Sequence, residues 1–235
     1  MTSPGPRPRR GRPPAAERPP LDRDGIARAA LRIAGEEGFG ALTMRRLAEE
    51  LRVTPRALYN CVKDRQEVVD LTARLMMERL PRHVYDVDDW RSTIREVYRA
   101  AREQYRAIPR AALISLDEQV TPAEVHPDRL LHPEEMLAFL CAIGLGLEDA
   151  VHVRARLLLD VFAFTLLIDY RYDRSGEDVR ALMQQPVPAP WLAAHPGLDV
   201  PHARAAAELP TLSSDAYFER FVDDAITLIE QRLRH

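Results

Sequence analysis

Arg56, Tyr59, Asn60 and Lys63 fall at i, i+3, i+4 and i+7, so a helix carrying them shows polar and cationic groups on one face. Their chemistry is that of base and phosphate recognition. A guanidinium fork matches the O6 and N7 of guanine, and a carboxamide matches the N6 and N7 of adenine. A phenol and an ammonium suit the sugar-phosphate backbone. No competing chemistry is spelled out, since the chain has no GxSxG, P-loop, HExxH or CxxC. His126, His132, His152, His195 and His202 are scattered, and the carboxylates are dispersed on solvated helix faces, so neither a metal site nor a cofactor is expected.

The flanking residues explain how such a face is held. In TMRRLAEEL, Thr43 can cap a helix whose Met44, Leu47, Ala48 and Leu51 form a buried stripe. Arg52 and Val53 form a corner, Thr54 offers a second N-cap oxygen, and Pro55 takes the first helical position, where its missing N–H costs little. Leu58 and Val62 point inward behind the polar face. An earlier helix opens with Asp22 as cap, Leu21 set to staple onto Ile26, and Ile26, Ala29, Ala30, Ile33 and Ala34 as its apolar stripe, with Gly38 as the stop. Two short helices around a tight corner, packed behind and polar in front, are what a double-stranded DNA major groove admits.

The stretch from Leu21 to about Leu80 resembles the DNA-binding domain of the TetR family of bacterial transcriptional regulators. The match lies in the helix ending in Glu36-Glu37-Gly38, the Ala41–Leu51 block, the Ala57-Leu58-Tyr59 tripeptide and the Val62–Arg65 run. Two departures stand out. Arg52 occupies the corner where the family usually has Gly, so a side chain meets a left-handed conformation. Asn60 and Cys61 stand where the family often has His or an aromatic, which changes the expected DNA preference and not the motif.

The resemblance implies an all-α protein: a three-helix helix-turn-helix head at 21–80, with the motif at 43–62, and a larger helical domain at 81–235 for ligand binding and dimerisation. It implies a homodimer on a palindromic operator, most often a repressor released by a small-molecule effector. Arg45 matches a family position that reaches a base or a phosphate. Arg56 and Asn60 are then expected at base edges, and Thr43, Thr54, Tyr59, Lys63 and Arg65 at the backbone. The rival class is a helical small-molecule-binding protein or enzyme that keeps the head without operator function; the cationic face argues against it.

Charge is segregated along the chain. Residues 1–65 carry fourteen Arg or Lys against eight Asp or Glu, a balance of +6, and the remainder carries nineteen against twenty-eight, a balance of −9. A basic head on an acidic body places nucleic acid at one end only. Cys61 and Cys141 have no partner spacing, and the Pro- and Arg-rich start has no apolar run behind it, so a reduced cytoplasmic protein without a secretory leader is expected. The most apolar stretch, Leu157–Ile168, is twelve residues long and holds Asp160, too short and too polar to span a membrane.

Beyond the head the pattern is helix after helix. Asp64 with Glu67 reads as a capping box for a helix ending at Pro81, and Asp89 to about Ala107 is amphipathic through Ile94, Val97, Tyr98, Ala101 and Tyr105. Ala111–Val120 continues after Pro109, residues 121–133 read as a broken turn, and Pro133 suits the first turn of a helix running to Gly144–Gly146. Glu148–Tyr172 reads as a long helix, apolar nearly all round from Leu157 to Ile168, as expected of a helix covered by its own subunit and by a partner. The proline-rich residues 175–212 read as a loose connection, and Ser213 or Ser214 caps a last helix. By the resemblance, Glu148–Tyr172 and Ser214–Arg234 form the dimer contact. Tyr105, Phe139 and Phe164, inward-reading on three helices, with His152 as a polar contact, are the expected lining of an effector pocket.

Residues 1–20 cannot bury a core, and Arg9-Arg10-Gly11-Arg12-Pro13 resembles an AT-hook, with Arg10 and Arg12 expected in an A·T minor groove. Deleting residues 1–20 should leave folding and dimerisation intact and weaken DNA binding. In a mobility-shift titration the loss should grow with A·T content beside the half-sites; an equal loss on G·C flanks would reduce the arm to generic charge.

Overall fold

The computed structural model describes residues 21–79, 82–114, 118, 119, 121 and 126–234. Arg10 and Arg12 and the whole basic arm lie outside the described residues. Among those described the fold is all-helical, with helices α1 (Arg23–Glu37), α2 (Met44–Leu51), α3 (Pro55–Tyr59) and α4 (Arg65–Glu78) forming the head. The body holds α5 (Trp90–Ala107), α6 (Asp128–Ala142), α7 (Leu147–Phe164), α8 (Tyr170–Arg174), α9 (Glu177–Met183), α10 (Ala189–Ala194), α11 (Pro201–Ala207) and α12 (Ser214–Arg232). No helix is long and apolar enough to cross a membrane, among the described residues.

Each head helix starts where a side chain satisfies an otherwise unpaired N–H. The Gly25 N–H donates to Asp22 Oδ1 at 2.6 Å, Arg46 N–H to Thr43 Oγ1 at 3.1 Å, Ala57 N–H to Thr54 Oγ1 at 3.2 Å and Glu67 N–H to Asp64 Oδ1 at 2.9 Å. The capping box at α4 is displaced by one residue. Glu67 accepts from the Lys63 N–H, 2.5 Å away, and not from Asp64, while also pairing with Arg23. Ile26, Leu31, Ile33, Phe39, Leu47, Leu58, Val68 and Val69 fill one core between these helices. A second core gathers Ile94, Tyr98, Phe139, Leu140, Val161, Phe164, Phe218 and Ile229 between α5, α6, α7 and α12.

The boundary between the two is not clean. Ala111 is fully buried in the head core, with Ile108 and Ile114 packed against it, although all three follow α5 of the body. After Pro109 the chain makes a 3-10 turn at Ala111–Leu113, and the Glu118 N–H donates to Ile114 O at 2.8 Å; residues 115–117 and 120 of the helix expected over Ala111–Val120 lie outside the described residues. Pro109 explains the break, because it can neither donate to the preceding turn nor let residue 108 stay helical. Ile108 accordingly sits at φ −138° and ψ 52°.

Three further expectations change. Pro133 lies inside α6, which already begins at Asp128, so it removes one N–H from the helix interior. Residues 175–212 hold three short helices, α9 to α11, two of which begin at a proline near their first turn. The helix predicted over 148–172 starts at Leu147 and is interrupted by a π-helical turn at Thr165–Asp169 before continuing as α8 to Arg174.

That turn swings Asp169 into the core. The Asp169 carboxylate is fully buried and takes both arms of Arg102: Nε to Oδ2 at 2.7 Å and Nη2 to Oδ1 at 2.7 Å. Ser214 Oγ donates to Asp169 Oδ1 at 2.6 Å, which settles the final cap: Ser213 caps α12, freeing Ser214 to face inward. Burial is the largest single influence and lowers the Arg102 pKa, but the hydrogen bonds and charges of Asp169 and Asp215 together raise it and hold the guanidinium charged. Asp169→Ala leaves Arg102, beside Phe164 and Phe218, with the exposed Asp215 as its remaining counter-charge, and should lower stability by about 3 kcal/mol in chemical denaturation. A loss below 1 kcal/mol would show the pair to be dispensable.

Candidate nucleic-acid interface

Helix α3 presents its outer face without committing it to the fold. Leu58 is fully buried against the head core, whereas Arg56, Tyr59, Asn60 and Lys63 are exposed, Tyr59 by 53%. Neither Arg56 nor Lys63 has an acidic partner among the described residues. The arrangement is a rigid backing with free donors in front, as groove readout requires.

The helix is shorter than the four-residue spacing implies. It ends at Tyr59, with Asn60 as its C-cap, so the face does not continue regularly to Lys63. Val62 still points inward because its N–H donates to Leu58 O at 3.0 Å, prolonging the turn by one bond. At Lys63 the backbone leaves that ladder for Glu67. Arg56, Tyr59 and Asn60 therefore share the helix face, and Lys63 flanks it from the loop.

The corner meets the expected strain. Arg52 adopts φ 54° and ψ 44°, the left-handed region, and is the only non-glycine with positive φ among the described residues. Its N–H donates to Glu49 O at 3.1 Å and that of Val53 to Ala48 O at 3.0 Å, closing α2 as a glycine would. The conformation costs about 1–2 kcal/mol relative to glycine, offset by the packing of Leu47 and Leu58 on either side.

Other expected contacts divide. Thr43 and Thr54 are exposed beside the face, with their hydroxyls already accepting cap hydrogen bonds. Arg45 is highly exposed and pairs with Glu49 at 3.1 Å, a solvent-screened pair that a phosphate can displace. Arg65 is a correction to the sequence reading. Its Nε donates to Leu42 O at 2.6 Å and Nη2 to Phe39 O at 3.0 Å, while Glu118 clasps the same guanidinium. The Glu118 hydrogen bond outweighs burial and raises its pKa. With its donors occupied, Arg65 ties the head to the segment after α5 and is not available to a backbone phosphate.

The four residues expected to line an effector pocket do not converge. Phe164 packs on Phe218 and Phe221 with ring centroids 5.0 and 5.5 Å away, Phe139 on Tyr85 at 5.0 Å, and Tyr105 on Phe162 at 4.4 Å. His152 is exposed on the outer side of α7, whose inward residues are Ala150, Val153 and Leu157.

Sequence reasoning missed a second group near Tyr105. Tyr85 and Tyr105 both lie within electrostatic reach of Arg154, and burial raises both phenol pKa values. His83 stands edge-on to Tyr85, 6.0 Å between centroids, and its pKa is lowered by burial and then by the neighbouring His132. The buried Nε2 of His132 has no hydrogen-bond partner among the described residues. Only the histidine spacing hinted at it.

The family model for bacterial regulatory proteins of the tetR family matches residues 26–70. The class C tetracycline repressor protein of Escherichia coli is 31% identical over 134 residues, 56% of this chain and 59% of that protein. The chain thus spans about three fifths of the length of this curated relative. A crystal structure of the Streptomyces coelicolor TetR family protein ActR in complex with actinorhodin covers 92% of this chain and 100% of its own, with 26% identity and a TM-score of 0.69. BioQ, crystallised with its double-stranded DNA operator, matches over 75% of this chain and all of its own, with 26% identity and a TM-score of 0.50.

On DNA carrying the recognised site, Asn60→Ala and Arg56→Ala should each cost about 1–3 kcal/mol and relax one base position. Lys63→Ala should weaken all sequences alike and flatten the salt dependence by about one ion. Fluorescence anisotropy across single-base variants reads both. Unchanged selectivity in Asn60→Ala would move base readout off the end of α3.

Proposed function

We propose that the chain is a ligand-responsive transcriptional repressor of the TetR type and not an enzyme, binding a palindromic operator as a homodimer in the cytoplasm. The observation that carries this reading is the exposed Arg56–Tyr59–Asn60 face on a helix whose other side is fully buried. The operator complex of BioQ and the repressor identity of the tetracycline relative support it.

Dimerisation is supported by an apolar stripe that a single subunit leaves uncovered. Leu147, Val151 and Leu159 of α7 and Leu167 of the π turn are exposed by 63%, 47%, 66% and 70%, and the exposed Ala155 and Ala163 lie between them in a row that winds slowly along the helix. Side chains four apart on one helix face form a continuous surface, large enough that water exposure is unfavourable. Tyr217, exposed by 41%, lies on α12 beside Phe164 and Phe221 and extends the surface. Two-fold pairing there sets two α3 faces about one DNA turn, or a multiple, apart.

The effector is best accommodated beside Arg154, where Tyr105 and Phe162 stack and the unpaired His132 Nε2 is buried near His83. An apolar wall with a few polar groups is the usual composition of a small-molecule site. Its link to DNA runs through α5. Tyr105 is three residues from Ile108, which packs on the head core, so a ligand that shifts α5 shifts the head. Operator affinity then falls by the ligand's differential affinity for the two arrangements.

The test uses the chain's own upstream DNA. A sequence-specific complex should form at low salt, with one dimer per site, and weaken log-linearly with salt. Cognate effectors should raise Tm, release the DNA, and lose both effects in Tyr105→Ala and Phe162→Ala. Absence of any sequence-specific complex would favour a helical small-molecule-binding protein that merely keeps the head.

A further inference from the structure

Between the head and the body lies a cleft of about 440 Å³ that the operator face does not use. Its walls come from α1, the end of α4, the turn after α5 and the end of α8. Arg28, Arg32, Arg79, Arg106 and Arg174 all border it, against Glu36 as the sole acid on its walls among the described residues. Leu31, Ile108 and Pro109 form an apolar floor. The volume falls within the range of small-molecule sites.

These cations are unequally satisfied. Arg106 is clasped by Asp173, and Arg32 reaches Glu50 at 3.5 Å. Arg79 has no acidic partner among the described residues, and Arg28 has only Asp22 at 4.0 Å. Arg174 lies over the Tyr170 ring, 3.9 Å from its centroid, and among the described residues it has no carboxylate within ion-pair distance; the Asp173 carboxylate in its electrostatic reach is already clasped by Arg106. Folding thus brings three under-neutralised guanidinium groups from three helices to one concave site. Like charges gathered in a cleft focus a positive field and repel each other until an anion joins them.

We propose that this cleft binds a phosphate monoester carried on an apolar or aromatic body, and that occupancy alters the angle between head and body. Three guanidinium forks suit the three terminal oxygens and near-dianionic charge of a monoester, and the Leu31–Ile108–Pro109 floor suits its apolar body. The site is distinct from the effector region beside Arg154. Because one wall belongs to α1 and the facing walls to α8 and the turn after α5, the ligand bridges the two domains. The coupling to DNA rests on the regulator reading above; the binding itself does not.

The probes are phenyl phosphate, inorganic phosphate and neutral phenol, titrated into the full chain at fixed ionic strength by calorimetry and thermal melting. Phenyl phosphate should bind and raise Tm, inorganic phosphate should bind more weakly, and phenol should do neither. Combining Arg79→Ala with Arg174→Ala should weaken phenyl phosphate about tenfold or more, whereas Arg129→Ala, an exposed arginine on α6, should not. Equal binding in the double variant and wild type would overturn the site. Without probe, the double variant should bind operator as wild type does; a loss there would assign these arginines to DNA phosphates and overturn the proposal. With probe, wild-type operator affinity should change several-fold and that of the double variant should not. Binding without that change would overturn the coupling alone, and failure of wild type to bind DNA at all would sink the regulator reading while leaving the calorimetric result intact.

Discussion

A carboxylate and a guanidinium buried together are tolerable only when every arm is met, since removing each ion from water costs several kcal/mol. The Arg102–Asp169 pair meets that condition with two fork bonds at 2.7 Å, the Ser214 hydroxyl, and Asp215 at 2.9 Å from the remaining arm. It also joins three separate pieces of chain: α5, the π turn after α7, and the start of α12. The hydrophobic contacts among those helices are forgiving of small rotations, but a bidentate pair is not. Geometry this strict fixes how α5 lies in the body, and α5 is the element that leads to the head.

That lead is short and firmly seated. Within a few residues of Arg102 and Arg106, the chain turns at Pro109 and buries Ala111 among Ile26, Leu42 and Leu47 of the head. Arg65 fastens the same segment from the other side, holding Leu42 O, Phe39 O and Glu118 at once. Asp70 adds the Thr121 N–H at 2.9 Å. The head therefore follows the end of α5 and does not swing on a free linker. The contacts between the end of α5 and the head are packed side chains with few alternative arrangements, of the kind that switch between states and do not deform gradually.

The head was legible in the sequence because its signals are local. Caps at Asp22, Thr43, Thr54 and Asp64 fix four helix starts within three residues of themselves, and Leu47, Leu58 and Val62 repeat at helical spacing. What sequence reading could not supply depended on distant partners. The π turn at Thr165–Asp169 leaves no mark in periodicity, yet it decides which side of the helix Asp169 occupies. The pocket residues depend on distant partners in the same way: Phe164 and Tyr105 read as facing one interior, but they are claimed by different neighbours, Phe218 and Phe162. Residues 175–212 were misread for a related reason, because proline signals a break in the middle of a helix and a start at its first turn, and composition alone does not separate the two.

Arg65 and Arg56 show where residue type stops being informative. Both are cations in the helix-turn-helix region, and both would suit a phosphate or a base by chemistry alone. Their difference lies in what the fold has already taken. Among the described residues more than half of the arginines find a carboxylate, as Arg46 does with Glu37 and Glu50, Arg82 with Asp128 and Glu135, and Arg99 with Glu219. Such pairs add little stability at the surface, but they leave the guanidinium partly neutralised toward any outside anion. Arg56 differs from Arg65 in both respects: it has no carboxylate partner among the described residues, and it stands beside an exposed tyrosine and asparagine on a helix buried from behind. That combination of free charge and neighbouring hydrogen-bonding groups is what suits it to act on something outside the fold.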